Sequence, residues 1–242
     1  MLTRTWRWLG LSAVLVLGLV AAMGAIRAVA AAGIDPYPTM AAISQYTMAR
    51  ADEIALAKSA APASVAEHAE VLVLGAHGYE TAVKGTNGFV CYVARSWDVA
   101  FDNPEFWNPK IRSPQCMNSV SVRSVLPRYL ERTKWVLAGV STTQMQARET
   151  AEWTAGRLTA PEPGAMCFMM SRGGYLNDQA GGPWHPHVMF FVPRTDASRW
   201  GADAAGSPIA SDSVNYEGTT IFFVVAPNWS DGTPGPALHT NE

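Results

Sequence analysis

Short apolar runs separated by turn-forming residues constrain this fold more than any other feature of the sequence. Each run is rich in β-branched or aromatic residues and is bounded by glycine, proline or asparagine, which favours β-strands over helices. Asn87-Gly88 directly precedes the second run and predicts that the first two strands pair antiparallel. The runs span residues 69–74, 89–93, 166–170, 188–192 and 219–226.

Three helices are predicted between these strands. A partly apolar stripe predicts a helix over residues 40–59, and apolar residues followed by Gly139 predict one over 124–138. A capping-box pattern of Ser141 with Gln144 predicts the start of a third helix over 141–158. The order along the chain is helix, two strands, two helices and three strands. It predicts an α+β fold with a mainly antiparallel sheet of about five strands and three main helices in a single domain.

The first 32 residues have the pattern of a secretory signal peptide. Arg4 and Arg7 precede an apolar run over residues 9–26, and small residues then allow cleavage after Ala30 or Ala32. An uncleaved membrane anchor is the alternative, because the run is close to the shortest length that spans a bilayer. The pattern predicts export to the periplasm or the medium, with no stable membrane insertion after cleavage.

Cleavage leaves one globular domain with two flanking segments. We expect a helical lead-in over residues 33–62, an α+β domain over 63–236 and a frayed tail over 237–242. The formal net charge of -2 and the isoelectric point near 6.2 indicate no basic surface. Nucleic acid is therefore not an expected partner.

Export makes the three cysteines informative, because thiols oxidise in extracytoplasmic compartments. Cys91 lies in a predicted strand, and Cys116 lies in a long loop over residues 96–118 that needs an anchor. Cys167 lies in an apolar run that reads as buried. We expect a Cys91–Cys116 disulfide, worth about 3–4 kcal/mol on the chain-entropy model, and a free Cys167, although other pairings stay open.

The sequence carries none of the strong catalytic motifs. It lacks G-x-S-x-G, H-E-x-x-H, C-x-x-C, the Walker A motif and G-x-G-x-x-G. Their absence disfavours the large hydrolase, zincin, thioredoxin-like and dinucleotide-binding classes. Whether the chain is an enzyme stays open, and no cofactor is implied.

His185 and His187 are the candidate catalytic or metal-ligating residues. They lie two apart at the start of a predicted strand, so their side chains share one face and are able to converge on a metal ion. A third ligand has to come from elsewhere, with His77, Asp178 and Asp196 as candidates. The alternative is that His187, which shares its face with apolar neighbours, is a hydrogen-bonded core histidine.

Tryptophans at loops and strand ends supply candidate binding residues. Trp184, Trp200 and Trp229 have polar neighbours and are able to form a stacking surface for a sugar or peptide. The alternative is that they cap the core. Cys167 is disfavoured as a nucleophile, because an apolar strand raises the pKa of a thiol.

Several segments resemble an uncharacterised family of exported bacterial proteins. The resemblance covers most of residues 40–236 and implies a signal-bearing bacterial protein, but no known activity, so no catalytic residue is carried over. The matching segments are Gly85–Phe89 followed by Cys91, Trp107–Arg112 leading to Cys116, Glu162–Cys167, Trp184–His187 with Met189–Phe191, Trp200–Asp203 and Trp229–Thr233.

Three functions are compatible with these observations. The first is a non-catalytic exported domain, in the periplasm, that binds a small molecule or a cell-envelope component. The second is a metal-assisted, hydrolase-like enzyme centred on His185 and His187. The third is a structural or stress-related envelope protein.

Expression of the full chain in a bacterium tests the export prediction. We expect an extracytoplasmic product that has lost its first 30 or 32 residues and carries one thiol that is titratable after denaturation, measured by intact mass and by thiol titration in denaturant. An unprocessed cytosolic product with all three thiols titratable contradicts it.

Overall fold

The computed structural model describes residues 36–178, 184–214 and 218–236, without the side chains of residues 213 and 214. The predicted signal peptide and the predicted tail lie outside the described residues. Among the described residues, no helix is long and apolar enough to cross a bilayer. The α-helices are α1 (Arg50–Lys58), α2 (Ala63–Ala66), α3 (Ser119–Ser124), α4 (Leu126–Leu137) and α5 (Thr142–Thr154), and 3-10 helices span Ile43–Gln45, Ser96–Asp98 and Ala197–Trp200.

The strands form one sheet in the order β2-β1-β3-β4-β5-β6-β8-β7. Among the described strands, only β1 and β3 pair in parallel, and the other neighbouring strands are antiparallel. The α+β fold and the mainly antiparallel sheet are confirmed. The strands are β1 (Glu70–Gly75), β2 (Gly78–Val83), β3 (Val90–Ala94), β4 (Ser113–Met117), β5 (Met166–Met169), β6 (His187–Pro193), β7 (Ile209–Val214) and β8 (Thr219–Val225).

The predicted number of about five strands is wrong, because the described sheet has eight. The three additional strands are β2, β4 and β7. β2 and β7 are the edge strands and carry polar residues, whereas β4 is central but contains Pro114 and Gln115. Each of these strands therefore lacks the continuous apolar run that identified the others.

The predicted antiparallel pairing of the first two apolar runs is also wrong. β1 forms its hairpin with β2 through the turn between Gly75 and Gly78, and the chain then returns to enter β3 on the other side of β1. Two reversals of direction make β3 parallel to β1. Asn87-Gly88 lies in that return connection, where Gly88 adopts a left-handed φ of 78°.

The helices differ from their predicted bounds mainly at their starts. The first begins at Arg50, and the second is divided into α3 and α4 around Val125. The capping box at Ser141 and Gln144 is present, as predicted, and α5 ends at Thr154. The predicted loop over residues 96–118 contains β4 as well as a 3-10 helix.

Helices cover both faces of β3, which is fully buried. Tyr92 and Ala94 point to the face that packs against α4, here called the α4 face. Cys91 and Val93 point to the opposite face, which packs against α1. Burial on both sides explains why β3 is an unbroken apolar run rather than an alternating one.

Cys91 and Cys116 lie directly opposite each other on β3 and β4. Their sulfur atoms are 2.06 Å apart, which is the distance of a disulfide bond. Cys167 on β5 is buried and free. The arrangement agrees with the expected pairing.

Two buried ion pairs hold the segment that follows β3. Arg95 donates to Glu53 of α1 over 2.7 Å, and Arg132 of α4 donates to both oxygens of Glu149 of α5. The side chain of Arg132 also donates to the backbone carbonyls of Trp97 and Val99. The segment from 95 to 99 is therefore fixed by charged side chains from opposite sides.

Replacement of Arg132 by methionine tests this role. Arg132 is fully buried, so its loss leaves the Glu149 carboxylate buried without its main partner and should cost about 3–5 kcal/mol of unfolding free energy in urea titration. Arg157→Met is the matched control, because the Arg157–Glu152 pair is exposed, and it should leave the urea midpoint almost unchanged. Equal shifts in the two variants contradict the account.

Candidate functional site

A cavity of about 250 Å³ lies on the α4 face of the sheet. Its floor is formed by side chains of β3 to β8, and its cover is formed by the segment after β3 and the first half of α4. The lining residues are Ala94, Arg95, Asp98, Val99, Ala100, Asn103, Ile111, Ser113, Gln115, Arg128, Tyr129, Met169, Leu176, His187, Met189, Asp212, Ile221 and Phe223.

The alternation of side chains along the strands explains the apolar floor. Met169 on β5, Met189 on β6 and Phe223 on β8 all point to the same face. Met189 lies directly opposite Phe223, and Met169 lies opposite the residue two positions before Met189. Directly opposed residues, and residues two apart on one strand, share a face of the sheet. Tyr129 of α4 faces them from the cover. Apolar walls with a few polar groups are typical of small-molecule sites.

Asp98 is an acidic residue of the cavity lining with a raised pKa. One carboxylate oxygen, Oδ2, accepts a hydrogen bond of 3.2 Å from the Tyr92 hydroxyl, and the other, Oδ1, is buried without a hydrogen-bond partner among the described residues. Burial raises the pKa of Asp98 to about 7, although nearby arginines, above all Arg132, act to lower it. The carboxyl group therefore keeps its proton at pH values at which an ordinary aspartate is ionised.

His187 lines the same cavity and carries an unprotonated nitrogen. Its Nδ1 lies 2.8 Å from the backbone carbonyl of His185, and because a carbonyl only accepts, Nδ1 carries the proton. Nε2 is then left with a lone pair, and it is buried without a partner among the residues that the structure describes. Burial lowers the pKa of His187, which keeps the imidazole neutral.

Gln115 and Tyr92 connect Asp98 to the interior of the sheet. The Tyr92 hydroxyl is 3.4 Å from Oε1 of Gln115, and the Cys167 sulfur is 3.8 Å from the same oxygen. Burial raises the pKa of the Cys167 thiol, so this cysteine stays protonated. It behaves as a core side chain rather than a nucleophile.

Only one of the two predicted histidines lines the cavity. His187 does, whereas the His185 side chain lies outside the lining and its Nδ1 is buried without a partner in the described part of the chain. No group of three or more histidine, cysteine, aspartate or glutamate residues able to hold a metal occurs among the described residues. The metal site at His185 and His187 stays a prediction.

The candidate third ligands lie in three other places. Asp178 accepts hydrogen bonds from Tyr37, Lys110 and Tyr175. Asp196 caps the 3-10 helix Ala197–Trp200 by accepting from the backbone of Ser198, and His77 lies in the turn between β1 and β2.

The three candidate tryptophans do not share one surface. The rings of Trp184 and Trp229 pack edge to face with their centroids 5.1 Å apart, and the centroids of the Trp184 and His187 rings are 5.7 Å apart. Trp200 is 57% exposed and packs against Phe222, whose side chain lies on the face of β8 opposite the cavity. Trp184 supports the histidine, and Trp200 belongs to a different surface.

Sequence reasoning missed Asp98, Tyr92 and Gln115. Tyr92 and Gln115 lie in strands and look like ordinary core positions, and Asp98 is one of three acids in an aromatic-rich segment. The unusual length of the predicted loop over residues 96–118 was the one available signal, because long ordered loops often carry function. That signal did not indicate which residue mattered.

The sequence matches no known family profile and no curated protein, and no solved structure matches the fold. The resemblance to exported bacterial proteins stays an expectation, and the function has to be inferred from the cavity itself.

The raised pKa of Asp98 predicts a specific pH dependence of stability. The folded state binds the Asp98 proton more tightly than the unfolded chain does, so the stabilisation is present below about pH 4 and is lost as the pH rises through about 7. Between those values, wild type should lose on the order of 2–4 kcal/mol of unfolding free energy relative to Asp98→Asn.

Urea titrations from pH 4 to pH 8 measure this difference. Asp52→Asn is the control, because Asp52 is exposed and its replacement should give a curve parallel to that of wild type. A parallel curve for Asp98→Asn contradicts the raised pKa.

Proposed function

We propose that the cavity binds a small, largely apolar molecule that carries a hydrogen-bonding group. The observation that supports this function is that two side chains lining one mainly apolar cavity each carry a buried polar atom without a partner among the described residues. Oδ1 of Asp98 and Nε2 of His187 both lack a hydrogen-bond partner among the described residues. An unpaired buried polar atom costs about 1–3 kcal/mol, and a bound polar group offsets that cost.

The size of the cavity limits the ligand. A volume of about 250 Å³ corresponds to roughly eight molecules of liquid water and lies just below the usual range for ligand sites. One or two fused rings fit such a space. The methionine and aromatic side chains of the floor suit an apolar body.

Export is part of the same proposal. The N-terminal pattern over residues 1–32 and the paired sulfurs of Cys91 and Cys116 support an extracytoplasmic protein. Its ligand would then be a small molecule of the periplasm or the medium. A binding function agrees with the first of the three expectations drawn from the sequence.

Saturation-transfer NMR with three bicyclic probes, 2-tetralone, indole and 2-naphthol, tests the proposal. Ligands of about ten non-hydrogen atoms at about 0.3–0.5 kcal/mol per atom should bind with Kd near millimolar. Ile221→Trp should abolish the signal, because the larger ring fills the cavity from β8.

Val224→Trp is the matched control for this experiment. Val224 belongs to the same strand but alternates to the opposite face, so its replacement should leave binding intact. Absence of binding by all three probes to wild type, or equal binding by Ile221→Trp, contradicts the proposed function.

A further inference from the structure

We propose, on the premise that the cavity binds a small molecule, that Asp98 and His187 act together as proton donor and proton acceptor to enolise a bound ketone. The two side chains line one cavity, and each presents a buried atom without a partner among the described residues. One group supplies a proton and the other removes one. That pairing is what a carbonyl compound needs to exchange a proton at the adjacent carbon.

The backbone assigns the acceptor role to His187. Its Nδ1–H donates to the carbonyl of His185, which orients the ring and leaves the lone pair on Nε2. The rings of Trp184 and Phe223 pack against the imidazole at steep angles, with centroid distances of 5.7 and 5.5 Å. The ring is thus fixed in one tautomer before a ligand binds.

The donor role falls to Asp98. Oδ2 of Asp98 accepts the hydrogen bond from the Tyr92 hydroxyl, whereas Oδ1 has no partner among the described residues. The proton of the neutral carboxyl group is therefore placed on Oδ1. A carboxylic acid that is kept neutral by an apolar site is an effective hydrogen-bond donor to a developing oxyanion. The 3-10 helix Ser96–Asp98, held by Arg132 through the carbonyls of Trp97 and Val99, fixes this carboxyl group.

The proposed step is balanced without a cofactor. His187 Nε2 removes a proton from the carbon next to the carbonyl, and the electron pair of that C–H bond forms a C=C bond. The carbonyl π pair then takes the proton of Asp98, which gives an enol, an imidazolium and a carboxylate. The proton on Nε2 then exchanges with solvent, and reversal returns a solvent hydrogen to carbon and a proton to Asp98, so each such turnover replaces one carbon-bound hydrogen.

The charged groups around the pair define its working pH range. The step needs a neutral His187 imidazole and a protonated Asp98 carboxyl group. The two coexist from the lowered pKa of His187 up to a pH of about 7, where Asp98 loses its proton. His185 is the titratable neighbour of His187. The groups that face Asp98 are Tyr92 of β3, Arg95, and Arg128 and Arg132 of α4, and Asp212 of β7 also lines the cavity.

Hydrogen–deuterium exchange of 2-tetralone tests the inference. Proton NMR in D2O at pH 6.5 follows loss of the hydrogens next to the carbonyl, and wild type should accelerate this loss at least about 100-fold over buffer. Asp98→Asn and His187→Gln should each lose most of the acceleration while saturation transfer from protein to ketone persists.

Two exposed residues supply matched controls. His68→Gln and Asp52→Asn make the same chemical changes outside the cavity and should keep the wild-type rate. If either cavity variant fails to fold, the pH profile of wild type decides. The protein-dependent rate should fall as the pH rises above about 7, whereas a rate that keeps rising overturns the inference.

The outcomes separate the two proposals. Binding of 2-tetralone to wild type without accelerated exchange overturns the acid–base pair and leaves the binding function intact. Failure of all three probes to bind overturns both. Equal acceleration by wild type and by both cavity variants assigns the exchange to other groups and also overturns the inference.

Discussion

The fixed position of the segment after β3 is the constraint on which the site depends. Arg95 anchors this segment to Glu53 of α1, and Arg132 anchors it to α4 and α5 through Glu149. Both arginines are fully buried, so each ion pair operates where the surroundings screen charge weakly. Asp98 lies between the two anchors and has little freedom to leave the cavity.

The same constraint explains the chemistry of Asp98. A carboxylate in contact with solvent would ionise near pH 4, and one with its own arginine would ionise at a still lower pH. Here Arg132 is occupied by Glu149 and by two backbone carbonyls. Burial therefore outweighs attraction to the arginines, and the proton is retained to about pH 7.

The sequence predicted the parts of the fold that depend on local patterns. Continuous apolar runs identified β1, β3 and β8, and the capping box identified the start of α5. It did not predict β4, because Pro114 and Gln115 interrupt the apolar pattern and strand formation there depends on pairing with β3. β4 is therefore a strand because of its tertiary contacts and not because of a local sequence pattern.

The candidate site was predictable only in part, for a related reason. His187 was identified from its spacing to His185, but its role depends on a hydrogen bond to a backbone carbonyl that sequence does not show. The position of Asp98 depends on two ion pairs. The partners of one are 42 residues apart in the chain, and those of the other are 17 residues apart. Such long-range placement leaves no periodic or compositional trace.

The proposed chemistry depends on an Asp98 carboxyl group whose burial raises its pKa. A carbon-13 NMR pH titration of the Asp98 carboxyl carbon, assigned by comparison with Asp98→Asn, measures this most directly. A titration midpoint near pH 7 is the predicted result. A midpoint near the ordinary value of about 3.9, or below it, contradicts the account.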